Sequence, residues 1–271
     1  MRIMDFPQAH HFEPVGRCIY CGAKSNDLTL EHIIPFGLGG RLELPEASCG
    51  ECQKLTQKFE EDCLRFALVE GRTRLGISGR RNKKGRLNKL RIGRLDNPSD
   101  PSSAISYEYL PVEDHPTIIG LPNFIPATKN NAGWGVNGII IVPFPGFFDK
   151  FAELGPGAIN FQPGKWASFA RMFAKIGHAA AVAKIGIDGF EPYLLDLIKG
   201  TDQSRSGYVG TAIREANRSS NPYELRLILT GSEIIANVRI FANLVTASYE
   251  VIVGRYDEAK ARNDALGAFA T

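Results

Sequence analysis

The sequence predicts an α+β protein built from a small zinc-stapled N-terminal module and a larger mixed domain. Three observations carry that expectation. Two Cys-x-x-Cys pairs fall between Cys18 and Cys52. Strand-like runs interrupted by two amphipathic helices fill the chain beyond residue 100, and the stretch Asn97-Pro-Ser-Asp-Pro-Ser-Ser reads as a break between the two parts. The chain of 271 residues is 44% hydrophobic, enough for one large core or two modest ones.

The elements follow in order. Residues 1–17 read as an irregular leader with Pro7, His10, His11 and Pro14. The module is expected over 18–70. Within it, Leu28 to Pro35 reads as a short strand stopped by proline, followed by a flexible loop at Gly37, Gly39 and Gly40. A helix is expected from Cys49 to about Val69, with Leu55, Phe59, Cys63, Phe66 and Leu68 near helical spacing and Gly71 as its stop. Residues 71–100 read as a basic linker. In the domain over 101–271, strands are expected at 105–112, 136–142, 207–213, 225–229, 234–241 and 248–253, with helices over Trp166–Ile185 and Glu191–Lys199. No internal repeat, Walker motif or dinucleotide fingerprint occurs, and that domain's role is not legible.

Composition excludes several classes. The longest apolar run, Ile139 to Phe148, is broken by Pro143 and Pro145 and is too short to span a bilayer, so no membrane partner is expected. Five cysteines are too few for a disulfide scaffold, and four of them pair in a way that suits metal binding in a reducing compartment, so a cytoplasmic location is expected. The net charge of +3 conceals an asymmetry. Arg65 to Arg94 holds eleven Lys or Arg against the single acid Glu70, a local +10 that leaves −7 for the rest. Such a block can grip a phosphate backbone without reading sequence, and Arg72, Arg74, Arg80, Arg81, Lys83, Lys84 and Arg86 are the expected contacts. The competing reading is a solvated linker.

Cys18, Cys21, Cys49 and Cys52 are expected to hold one structural Zn²⁺, each pair supplying two thiolates to one side of a tetrahedron. The alternative is a redox or coincidental pairing. A closed four-thiolate site does no chemistry, so its task is to staple a module too small to fold on its own core. Cys63 is left over and is expected to be buried on the helix.

Cys18-x-x-Cys21, Glu31-His32-Ile33-Ile34-Pro35, Gly39-Gly40 and Cys49-x-x-Cys52, in that order and at short spacing, resemble the zinc-containing HNH endonucleases. The resemblance covers roughly residues 15–65. It implies a ββα-metal unit in which His32 is the general base and Glu31 a ligand of a catalytic Mg²⁺ or Mn²⁺. An imidazole titrating near neutrality can take a proton from water while a metal stabilises charge on the phosphate. Adjacent strand residues point to opposite faces, so Glu31 and His32 can serve one site only if the strand end bends. Taken alone, Glu31-His32 reads as a surface strand end.

Two family residues are missing. No asparagine stands in Leu44-Pro-Glu-Ala-Ser to orient the histidine, and Gln53 and Gln57 occupy the places of the helix ligand. Gln53 is a poor candidate, whereas Glu60, which shares a helical face with Thr56, could supply the oxygen. On α-helical spacing, Arg171, Lys175 and His178 form a polar stripe, read either as an anion contact or as a solvated face.

Three functions are consistent with these residues. The first is a metal-dependent endonuclease acting on DNA, with RNA also open. The second is a catalytically inactive zinc-dependent nucleic-acid-binding module. The third is a nuclease effector gated by a ligand-sensing C-terminal domain, with a small-molecule activator as its partner; a homo-oligomer is open under any of the three.

Overall fold

The computed structural model describes residues 2–5, 7–77, 88–130, 135–159, 165–212 and 218–261. The chain runs β1 (Arg2–Asp5), β2 (His10–His11), β3 (Thr29–His32), β4 (Leu42–Ser48), α1 (Gly50–Asp62), α2 (Val69–Arg74), β5 (Lys89–Leu95), β6 (Ile105–Pro111), β7 (Ile118–Phe124) and β8 (Val136–Pro143). It continues with α3 (Phe147–Glu153), β9 (Ala158–Ile159), α4 (Trp166–Ile185), β10 (Phe190–Pro192), α5 (Leu195–Lys199), β11 (Val209–Ala212), β12 (Tyr223–Thr230), β13 (Glu233–Ile240) and β14 (Ser248–Tyr256). The α+β expectation holds.

The larger part is built on an antiparallel sheet ordered β1-β12-β13-β14, with β10 and β11 both pairing along β14. Alternation decides its inner face: Leu225, Leu227 and Leu229 on β12 and Ile234, Ala236, Val238 and Ile240 on β13 are buried. Helix α4 lies on that face. Phe173 stacks on Tyr249 with ring centroids 3.9 Å apart, and a Cβ at Gly177 would stand 3.1 Å from both Val251 and Val253. The glycine therefore lets helix and sheet approach closely. No helix among the described residues is long and apolar enough to cross a membrane.

The N-terminal unit is a β3–β4 hairpin with β2 parallel to β4, followed by α1. Ile33, Ile34, Leu42, Leu44 and Phe59 form its core, which is continuous with the core around α4.

Several sequence expectations need correction. The leader is not irregular throughout: β1 joins β12 of the far sheet and β2 joins β4, so its backbone groups find partners in both halves of the molecule. The basic linker contains β5, which pairs with β6 along its whole length. The first helix ends at Asp62 and gives way to a π-helical turn over Cys63–Ala67 and then to α2. Gly71 does not stop a helix but sits inside α2, where a Cβ would come within 2.4 Å of the Ile119 side chain on β7. Cys63 is buried as expected. The loop at Gly37 to Gly40 contains a short 3₁₀ turn, and Gly40 is pressed against the Ile34 carbonyl, 2.0 Å from where a Cβ would lie. The helix expected over Glu191–Lys199 is split into β10 and α5, Pro192 having no N–H for a helix interior. Helix α4 matches its expected bounds.

Candidate active site

The four-cysteine cluster assembles from two local features. Cys18 and Cys21 flank a tight turn in which the Gly22 N–H bonds the Cys18 carbonyl, and Cys49 and Cys52 bracket the start of α1. The four sulfur atoms lie within 4.8 Å of one another, with Cys21 and Cys49 Sγ 3.7 Å apart. A tetrahedral Zn²⁺ with Zn–S bonds of about 2.3 Å needs sulfur separations of about 3.8 Å, so the donor set fits. Among the described residues, this is the group of His, Cys, Asp and Glu side chains that converges in such a way. Burial pushes the Cys18 thiol up. Burial also acts on Cys49, but the Cys52 amide and the neighbouring thiols outweigh it and bring Cys49 down to about 7.

His32 ends β3, opposite Glu43 in the hairpin register, and its Nε2 lies 3.2 Å from Glu43 Oε1. The other carboxylate oxygen, Oε2, stands 2.6 Å from His11 Nε2 on β2. The His32 side chain is 10% exposed, Glu43 20% and His11 71%, so the cluster grades from the buried imidazole outward to solvent. Phe36 packs edge-on against the His32 ring at 5.5 Å, and the Arg41 guanidinium lies over Phe36 at 4.4 Å. At 3.2 Å the Glu43 carboxylate is in ion-pair range of the His32 imidazole, and its negative charge favours a proton on Nε2.

Glu31 serves a different place. The β3–β4 register shifts between Thr29 and Glu31, yet the alternation of a strand still sends Glu31 and His32 to opposite sides. Glu31 Oε1 lies 2.6 Å from Lys175 Nζ on α4, and Glu60 Oε1 on α1 lies 2.9 Å from the same nitrogen. Lys175 is fully buried and also donates to the carbonyl of His32. Burial alone would lower the lysine's pKa, but the two carboxylates outweigh it and raise it, so the ammonium is charged. Beside them, burial and the same two carboxylates push the Tyr20 hydroxyl up.

The polar stripe on α4 therefore faces protein, with Lys175 and His178 buried and Arg171 half-buried. Arg171 donates to the Ile198 carbonyl and lies over Phe59 at 4.8 Å, and His178 Nε2 lies 2.8 Å from the Ile19 carbonyl.

Of the residues expected to touch phosphate, Arg72 and Arg74 are turned inward. Arg72 donates to the carbonyls of Gly37 and Leu64, and Arg74 to that of Val112. Arg80, Arg81, Lys83, Lys84 and Arg86 lie outside the described residues. Gln53 stands on the first turns of α1, half-buried, with its carbonyl accepting from the Thr56 hydroxyl.

Sequence reasoning missed Glu43, His11 and Lys175. For Glu43 a signal existed: Leu42 and Leu44 face the core, so period two turns Glu43 outward beside the strand that carries His32. For Lys175 there was none beyond its place in the stripe.

A four-cysteine cluster at one end and a carboxylate-paired histidine on the hairpin define a ββα unit whose donor set suits a structural zinc. Residues 18–66 match the family model described as HNH endonuclease. The chain thus carries an HNH domain at its N-terminus, followed by a larger mixed α+β part. No curated protein and no solved structure matches the chain.

Proposed function

We propose that this chain is an endonuclease that hydrolyses phosphodiester bonds in DNA, with His32 as the general base. The observation that carries the reading is the 3.2 Å contact between His32 Nε2 and Glu43 Oε1 inside the stretch that matches the HNH endonucleases. The carboxylate takes the orienting role that an asparagine would otherwise fill. Its negative charge stabilises the imidazolium that results when the ring takes a proton from the attacking water. Arg41, exposed beside the site and stacked on Phe36, is placed to meet a phosphate oxygen.

The resemblance calls for a divalent ion, Mg²⁺ or Mn²⁺, but Glu31, Glu60 and Gln53 do not fit one in this arrangement. The ammonium of Lys175 holds both carboxylates, and a dication at the same oxygens would be repelled by it. The same observation favours a second reading, a zinc-stapled nucleic-acid-binding module without chemistry.

A plasmid-nicking assay with a Mg²⁺ and Mn²⁺ series decides between them. Cleavage by the wild type that is lost in His32→Ala supports the hydrolase. Binding without cleavage at any metal concentration would leave the binding module.

A further inference from the structure

Helix α4 touches the N-terminal module at each successive turn. Asp62, at the end of α1, accepts from Lys165 Nζ at 2.8 Å and from the Ser168 hydroxyl at 3.0 Å. Arg171 covers Phe59, Lys175 meets Glu31 and Glu60, and His178 reaches the Ile19 carbonyl within the four-cysteine cluster. Residues 171, 175 and 178 are spaced i, i+4 and i+7, one row of a helix. The opposite side of the same helix is fixed to the sheet through Phe173 and Gly177. An element held on both sides in this way cannot shift without disturbing the module.

Lys175 is the centre of that row. Its Nζ is surrounded by Glu31 Oε1 at 2.6 Å, Glu60 Oε1 at 2.9 Å, the Ile33 carbonyl at 3.4 Å and the His32 carbonyl. The oxygens come from β3, from α1 and from the backbone of the residue that carries the candidate base. An ammonium has three protons to donate and no capacity to accept, so it matches an all-oxygen cage. A buried charge pair is tolerated only when each member is compensated, which ties the three elements into one unit.

We propose that Lys175 is a positioning residue for the hydrolytic centre. Its ammonium locks Glu31, Glu60 and the His32 carbonyl together, and so sets the strand end from which the His32 imidazole projects. Glu31 and Glu60 serve this ammonium and not a divalent ion. The α+β part is accordingly a structural component of the catalytic module. The kinetic arm of the test rests on the hydrolase reading above; the other two arms do not.

Three variants of the full chain test this: Lys175→Met, the pair Glu31→Gln with Glu60→Gln, and the triple combination. Thermal unfolding and zinc content come first. Lys175→Met leaves one buried and one half-buried carboxylate uncompensated and is expected to lower Tm by on the order of 10 °C. The triple variant, neutral throughout, is expected to recover most of that loss with zinc retained.

Mn²⁺ binding to DNA-free protein, followed by electron paramagnetic resonance, is the second arm. Its affinity is expected to stay within about twofold between wild type and the Glu31→Gln, Glu60→Gln pair. In the third arm, nicking by the triple variant is expected to lose at least about tenfold in kcat with KM little changed, because the base is misplaced while DNA is still held.

A Lys175→Met protein as stable as wild type would overturn the proposal. So would a tenfold gain in Mn²⁺ affinity on removing the lysine that disappears again in the triple variant, which would make the carboxylates a metal site plugged by Lys175. A triple variant with wild-type kcat would remove the positioning role alone. Should the wild type not cleave at all, the hydrolase reading fails while the unfolding and Mn²⁺ arms still decide what Lys175 does.

Discussion

Glu43 stands directly across the β3–β4 hairpin from His32, its Oε1 3.2 Å from the His32 Nε2. The contact lies on a register position, so it is held by the ladder itself and not by a flexible loop. His32→Ala should lower the nicking rate by at least about a hundredfold while zinc content and DNA affinity stay near wild type. Glu43→Gln keeps a partner for the ring but loses the charge that stabilises the imidazolium, so a kcat loss of about tenfold or more is expected with KM unchanged. Single-turnover nicking kinetics check both. A Glu43→Gln enzyme indistinguishable from wild type would refute the orienting role.

A zinc ion held by the four converging cysteines would make folding of the module depend on it. Cys49→Ser combined with Cys52→Ser should bring zinc from about one ion per chain to near zero, with loss of the module's cooperative unfolding. Metal analysis by mass spectrometry reads the first, circular dichroism during a thermal scan the second. Full zinc retention in that variant would reject the site.

The two ends of the basic segment should behave differently from its middle. Arg72→Ala removes the donor to the Gly37 and Leu64 carbonyls, so its expected effect is a stability loss of about 1–3 kcal/mol with the salt dependence of DNA binding unchanged. Replacing Arg80, Arg81, Lys83 and Lys84 with alanine should instead flatten the slope of log affinity against log salt by about 3–4, if each meets a phosphate. Fluorescence anisotropy over a salt series distinguishes the outcomes, and an unchanged slope in the fourfold variant would make the segment a linker.

His178 introduces an acid limit. Burial, only partly offset by the Ile19 carbonyl, lowers its pKa from 6.5 to about 4, so the folded chain holds it neutral. Below pH 6.5 the unfolded chain binds a proton that the folded chain refuses. Stability is therefore complete above 6.5 and declines as pH falls toward 4, by roughly 3 kcal/mol in all. His178→Gln should flatten that part of the curve in denaturant titrations at successive pH values. An identical slope in the variant would show that other groups cause the acid loss.

Glu70 acts in the opposite direction. Burial raises its carboxyl to about 8 against a weaker pull from Arg91, so the folded chain keeps the proton that the unfolded chain has released. Stability from this group is present below about 4.5 and is lost as pH rises through 8. Glu70→Gln should make the protein more stable at pH 8 than wild type, by about 4 kcal/mol, with little difference at pH 4. Urea titrations at the two pH values measure it, and equal stabilities at pH 8 would contradict a buried neutral acid.

The sequence by itself determined what short-range spacing can determine. Two cysteine pairs pointed to the four-cysteine cluster, because ligand spacing within a turn is a local property. The apolar period over Trp166–Ile185 gave α4 to the residue, and the Glu-His-Ile-Ile-Pro stretch gave β3 and its match to the HNH endonucleases. Tertiary structure alone decided what each polar residue faces. Period two separates Glu31 from His32, but only the hairpin register puts Glu43 beside the imidazole, and only the docking of α4 brings Lys175 to Glu31 and Glu60. A helical stripe of Arg171, Lys175 and His178 looks the same in sequence whether water or another element covers it. The charges that compensate a buried ammonium can come from anywhere in the chain, so their location follows from packing and not from periodicity.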